Sequence, residues 1–152
     1  RIDLKVHPLV LELTGKKDPQ TGLEGKFSVY HSAAAAIIEG AGGEAQFSDS
    51  AVRKPEAVAL RKRVTATIDA SLKQQGQARV VIVLKDGRKL EKFVEHAVGS
   101  VQNPMTDRDL ESKFLGLAKG LLSLDQSKRV MDLCWTMATL QDAAALARAA
   151  KV

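Results

Sequence analysis

The chain has 152 residues, enough for one domain with a core of its own. Hydrophobic residues at 45% and charged residues at 27% exclude a disordered or fibrous chain, and the single cysteine excludes an internal disulfide. The net charge of +5 admits nucleic acid, an anionic membrane or a small anion as partner. No apolar run approaches the roughly 20 residues of a membrane-spanning helix. The single cysteine also fits a reducing compartment, so a soluble, cytoplasmic protein with no membrane partner is expected. Basic residues are interleaved with acids, and the densest run, Arg61-Lys62-Arg63, reads as a solvated helix end.

Ile2, Leu4 and Val6 alternate with Asp3 and Lys5, which predicts a half-buried strand over residues 2–6. The chain opens on it with no initiator Met and no signal-peptide pattern, and so reads as the interior of a longer polypeptide. After His7-Pro8, residues 9–14 fit either a continued strand or a short helix. Residues 15–22 form a polar loop rich in turn formers. Residues 22–27 then read as a glycine-flexible, charged approach to the helix around which the chain is organised. Ser28 suits its N-cap, since the hydroxyl can accept from a first-turn amide. Gly40 suits the left-handed residue past its end. Residues 33–38 are all apolar, which predicts a central helix buried on every side. Its start carries Lys26, Ser28, Tyr30 and His31 among free amides with partial positive charge, a setting that suits an anion.

Beyond the turn Gly40-Ala41-Gly42-Gly43, Phe47-Ser48-Asp49 opens a short helical piece, and Pro55 sits in the first turn of a helix over residues 55–62. Residues 64–68 alternate and are β-branched, as in a strand. Residues 79–84 are nearly all apolar, as in a central strand. Asp86-Gly87 is a two-residue hairpin signal, after which residues 89–94 return antiparallel. Residues 99–105 form a loop with the composition of an active-site rim. Thr106 caps a helix carrying Leu110, Phe114, Leu117 and Leu121. Ser123 and Gln126 form a capping box for the next, carrying Val130, Leu133, Cys134 and Met137. An alanine-rich helix over residues 141–151 ends the chain. Early strands and late helices indicate a single α+β domain over residues 1–152. Its sheet is an antiparallel meander or mixed sheet packed with helices, among them the central buried helix and the helical C-terminus.

Among the titratable groups, His31 is the candidate acid or base, because a helix N-terminus favours neutral imidazole. The plain alternative is a core histidine with one hydrogen bond. Lys26 is placed to meet a substrate carboxylate; its plain alternative is a surface lysine. His7, His31 and His96 stand at no ligand spacing with one another, with Cys134 or with paired carboxylates, so no metal is expected. Cys134 beside Trp135 reads as packing, since no histidine or acid is spaced to activate it. Gly40 to Gly43 has the outline of the Gly-X-X-Gly loop of KH RNA-binding domains, but it holds no Lys or Arg and runs into Glu44.

Several blocks occur in an order that resembles one family. They are Pro8-Leu9-Val10, Thr14-Gly15, the run from Pro19 to His31, Phe47 to Val52, Asp86-Gly87-Arg88, Gly99-Ser100 with Asn103-Pro104-Met105, and Glu111 to Phe114. Together they resemble the C-terminal domain of the MmgE/PrpD family, from near residue 1 to about residue 140. That family includes 2-methylcitrate dehydratase, cis-aconitate decarboxylase and iminodisuccinate epimerase. The resemblance implies a lyase of dehydratase type that moves protons beside a carboxylate of a small polycarboxylate, with no cofactor. It also implies a helical N-terminal domain as partner, a homodimer, an active site between the two domains, and no activity of this domain alone. Where the decarboxylase branch has a tyrosine, this sequence has His31, which the resemblance makes the catalytic residue. Lys26 and Ser28 match the family segment and Tyr30 adjoins it; these three become the substrate contacts. The alternatives are a non-catalytic interaction or dimerisation domain, an epimerase or decarboxylase of the same family, and, more remotely, an RNA-binding module through residues 40–43.

Overall fold

A computed structural model describes all 152 residues. The chain falls into two compact units, Arg1–Pro104 and Met105–Val152. The first contains β1 (Ile2–Val6), α1 (Pro8–Thr14), α2 (Gly22–Lys26), α3 (Val29–Glu39), α4 (Asp49–Arg53), α5 (Pro55–Arg61), β2 (Val64–Ile68), β3 (Ala78–Val83) and β4 (Lys89–Val94). A 3₁₀ turn, Glu44–Phe47, precedes α4. The second unit contains α6 (Asp107–Ala118), α7 (Leu124–Trp135), a 3₁₀ turn and α8 (Ala144–Ala149). No helix is long and apolar enough to cross a membrane.

The α+β class holds, and the sheet is mixed. Its strand order is β2-β1-β3-β4. β1 pairs parallel with β2, Ile2 opposite Val64, and antiparallel with β3, Leu4 opposite Val80. A three-strand meander of β2, β3 and β4 is thus not what forms, because β1 lies between β2 and β3. The reason lies in the side chains. Ile2, Leu4 and Val6 are all nearly inaccessible and share one face, which needs a cover above, and the backbone groups of so buried a strand need partners on both edges. That cover includes Tyr30 of α3, which joins Val64 and the three β1 side chains in the core. β3 is an inner strand, as expected, with β1 and β4 as its neighbours. On the opposite face, the guanidinium of Arg79 lies 4.5 Å from the ring centre of Phe93, its cross-strand partner.

The β3–β4 hairpin has a longer loop than the two-residue signal implied. Leu84 N donates to Arg88 O at 2.9 Å and Gly87 N to Leu84 O at 3.2 Å, leaving Lys85, Asp86 and Gly87 as a three-residue loop. Gly87 adopts φ +86°, the left-handed position that closes such a loop and that favours glycine.

α3 is capped as expected. Ser28 Oγ accepts from His31 N at 3.1 Å, and Gly40, at φ +65°, follows the last turn. The helix is not buried on every side. Tyr30, His31, Ala34 and Ala35 are buried, whereas Ile37 is 50% and Ile38 38% exposed. α5 and the sheet cover only one stripe of it. The uncovered flank walls an apolar groove of about 330 Å³, in which Val29, Ala33 and Ile37 face Val80 and Ile82 of β3.

Residues 22–26 are helical, and their glycines serve contact, not flexibility. Thr21 Oγ accepts from Glu24 N at 3.2 Å and caps α2, while Gly22 N donates to Asp49 Oδ1 at 2.7 Å. A Cβ on Gly22 would stand 2.0 Å from Phe47 O, an impossible approach. Residues 9–14 take the helical alternative, with Nδ1 of His7 accepting from Leu9 N at 3.2 Å.

In the second unit Thr106 caps α6 as expected and also closes a box with Asp109, and the expected Ser123–Gln126 box forms. Trp135 Nε1 donates to Glu111 Oε1 at 2.8 Å, tying α7 to α6 beside a groove that Phe114, Val130 and Cys134 line. The last helix spans only Ala144–Ala149, shorter than residues 141–151, because Asp142 turns its carboxylate onto Ala144 N at 2.9 Å and starts the helix later.

Gly22→Ala is expected to cost about 1–3 kcal/mol or more through forced separation of α2 from the 44–47 turn. Urea unfolding measures it; an unchanged midpoint would show that this contact is not as close as described.

Candidate functional site

The site grows from the α2–α3 junction. α2 ends in a tight turn in which Phe27 N donates to Glu24 O and Ser28 N to Gly25 O, both at 3.1 Å. Ser28 is fully enclosed. Its hydroxyl is committed to the cap, and its carbonyl accepts from Ser32 Oγ at 3.0 Å. The loop before α2 is tied down by Glu24, whose carboxylate accepts from Lys16 Nζ and from Gln20 N. The Lys16 contact first, then the Gln20 amide, hold the Glu24 carboxyl below the usual glutamate range.

His31 is 1% exposed, with both ring nitrogens engaged inside the chain. Nε2 lies 2.8 Å from Gln46 O, so it carries the proton and donates. Nδ1 lies 3.4 Å from Arg61 Nη1 and accepts. The Phe47 ring meets the imidazole edge-on at 5.3 Å. The partners on both sides thus assign the neutral Nε2–H tautomer.

Arg61, at the end of α5, is the group that joins these parts. Its side chain is 3% exposed. Nη1 also donates to Val52 O at 2.6 Å; Nη2 donates to Pro19 O and to Asp18 Oδ1, each at 3.4 Å. The run at residues 61–63 is therefore a solvated helix end only at Lys62 and Arg63. Arg61 lies one turn after the buried Ala57 and so falls on the inward stripe of α5. That spacing is the signal the charge run concealed.

Beside this network lies a cleft of about 500 Å³. Its polar wall is Lys17, Asp18, Tyr30, Arg61 and Lys62, and Val58, Val64 and Ala66 supply apolar surface. Lys17 and Lys62 are exposed and form no ion pair. Tyr30 is 6% exposed, yet its hydroxyl forms none of the chain's hydrogen bonds. No buried side-chain polar atom lacks a partner, so this oxygen reaches accessible surface. Three cationic side chains and one carboxylate, that of Asp18, thus line the same cleft.

The expected site residues divide into two groups. Ser28, Tyr30 and His31 lie together on the first turn of α3, but of these only Tyr30 lines the cleft. Lys26 leaves in another direction: its Nζ lies 3.0 Å from both carboxylate oxygens of Glu44 on the surface. Lys26 and His31 therefore do not converge on one ligand. The turn after α3 is flanked by Glu39, which accepts from Gln46 Nε2 and Lys54 Nζ, and by Glu44. Gln46 first, then Lys54, hold the Glu39 carboxyl below its usual range. The loop at residues 40–43 is thus flanked by two carboxylate side chains, each already held by a lysine of the chain. No group of three or more His, Cys, Asp or Glu side chains stands close enough to hold a metal.

The family model for the MmgE/PrpD C-terminal domain matches residues 1–137. The chain belongs to the MmgE/PrpD family. Within this MmgE/PrpD domain the matched stretch takes in the whole first unit together with α6 and α7. Comparison with curated proteins gives no match.

In long-range ¹H–¹⁵N spectra His31 is expected to show a protonated Nε2 and an imine-like Nδ1. The opposite tautomer would mean that Gln46 and Arg61 are not its partners. His31→Ala, which strands the Gln46 carbonyl and opens a cavity, is expected to cost about 2–4 kcal/mol in chemical unfolding.

Proposed function

We propose that this MmgE/PrpD domain is the C-terminal part of a dehydratase-type lyase that acts on a small polycarboxylate by proton transfer between side chains and substrate. The observation that carries this reading is the cleft in which Lys17, Arg61 and Lys62 outnumber the single carboxylate of Asp18. A small polyanion is the ligand such a wall attracts, since field lines concentrate in a cleft lined by one sign of charge. Tyr30 contributes a hydroxyl that is free to donate to a substrate oxygen. In this reading His31 acts through Arg61, holding the guanidinium in place, and does not touch the substrate. Lys26 and Ser28 belong to the frame of the α2–α3 junction. Family membership supports the lyase class, with a helical domain completing the active site and a cytoplasmic homodimer as the working form.

The test is turnover of 2-methylcitrate and related tricarboxylates by the polypeptide that joins this domain to its helical domain, followed by the ultraviolet absorbance of the new double bond. Lys62→Ala is expected to raise KM several-fold and leave kcat nearly unchanged, because it removes a contact made equally in ground and transition states. Absence of turnover with every tricarboxylate tried would end the lyase reading.

The open apolar groove beside α3 supports a second reading, an interaction module that buries this surface on another chain. Light scattering of the 152-residue chain tests it. Self-association that Ile37→Glu abolishes is expected; a monomer at all concentrations counts against it.

A further inference from the structure

We propose that the cleft holds a built seat for a ligand carboxylate on Arg61, and that Asp18 occupies this seat until a ligand displaces it. The inference rests on the anion-binding reading of this cleft and says which atoms do the binding.

Three observations lead to it. First, Arg61 is a buried cation whose only ionic partner is weak. The Asp18 carboxylate reaches Nη2 at 3.4 Å, and its side chain is 76% exposed against 3% for the arginine. A guanidinium favours a planar carboxylate held through two parallel N–H···O bonds at 2.7–2.9 Å. Asp18 provides one long bond, so the guanidinium keeps donor capacity and charge that Asp18 does not satisfy. Second, the identity of the occupant names the ligand class. The chain places a carboxylate, borne on an exposed side chain, in the lining of a cleft whose other charged groups are cationic. Third, Tyr30 is almost wholly buried and lines the cleft, and its hydroxyl, with no partner within the chain, reaches accessible surface. Such an accessible, unpartnered donor is suited to a second ligand oxygen.

The exchange needs no rearrangement of the fold. Arg61 is fixed from behind by Val52 O and His31 Nδ1. Only Asp18, on an exposed loop side chain, moves outward into water. Lys17 and Lys62 then stand beside a dianion in place of a protein carboxylate. The carbon skeleton of the ligand lies on Val64. The class is a small carboxylic acid with at least two carboxylates, one for Arg61 and one for the lysines.

The probes are succinate and, as the second arm, inorganic phosphate, each titrated into ¹⁵N-labelled 152-residue chain. Succinate is expected to shift the amides of residues 17–18, 30 and 58–66, with phosphate binding more weakly at the same place. Asp18→Asn keeps the side-chain shape and removes the competing charge, so it is expected to tighten succinate binding about three- to fivefold, the range of an exposed ion pair. Tyr30→Phe and Lys62→Ala are each expected to loosen it by a similar factor. These variants leave the Arg61 scaffold intact, and Arg61 itself is left unchanged because its loss would disturb folding. Succinate binding in this cleft that Asp18→Asn leaves unchanged or weakens overturns the seat while leaving the anion-binding reading standing. No shift in the cleft with either anion, in wild type and Asp18→Asn alike, overturns both. Equal binding of phosphate and succinate overturns the carboxylate assignment.

Discussion

A single buried guanidinium organises the first unit. Arg61 bonds to the backbone of α4, the ring of His31 on α3 and the loop before α2, while its own helix leads into β2. A cation withdrawn from water is costly unless surrounding dipoles and charges replace its hydration, and removing one partner of a buried charged network commonly costs about 3–5 kcal/mol. Here two carbonyl oxygens and an imidazole nitrogen do most of that work, and the one carboxylate stands at the edge. The arrangement therefore both fixes four segments and leaves positive potential at the surface of the cleft.

His31 is best understood from this network. A histidine on the first turn of a capped helix, next to a tyrosine and near a lysine, has the sequence context of an acid–base residue. The fold gives it a different task. Its Nε2–H satisfies a carbonyl of the 3₁₀ turn at residues 44–47, and its Nδ1 receives Arg61. The neighbour on the helix, Tyr30, turns its body into the sheet core and its hydroxyl to accessible surface. Adjacent residues on a helix lie about 100° apart, and that rotation separates the sealed group from the accessible one.

What the sequence disclosed follows the range of the forces involved. The N-cap at Ser28, the cap at Thr106 and the Ser123–Gln126 box are local hydrogen bonds between residues three apart, and each is present where the residue types called for it. The alternation in β1 and the Asp86-Gly87 turn are equally local. The place of β1 in the sheet was not legible, because alternation reveals a buried face but not which strands flank it. Nor was the exposed flank of α3. An all-apolar stretch records what a helix can tolerate, whereas coverage depends on how many elements reach it. Arg61 was hidden for the opposite reason. Two solvated neighbours, Lys62 and Arg63, made one inward residue look like part of a surface cluster. The loop residues Lys17 and Asp18 meet Arg61 only through the tertiary fold.

The parallel pairing of β1 with β2 has a consequence for how the unit assembles. β1 is made first but is flanked by β2 and β3, which arrive only after all five helices of the unit have been made. Its two ladders close long loops, and that entropy must be met before the sheet gains any of its contacts. The helical segment between them can gather around local caps beforehand, but its core face stays open. Folding of this unit is thus a late event in its own synthesis, with the apolar strand β1 waiting for partners. Until then Ile2, Leu4 and Val6 are apolar surface without their native cover, the kind of surface that invites association with other chains.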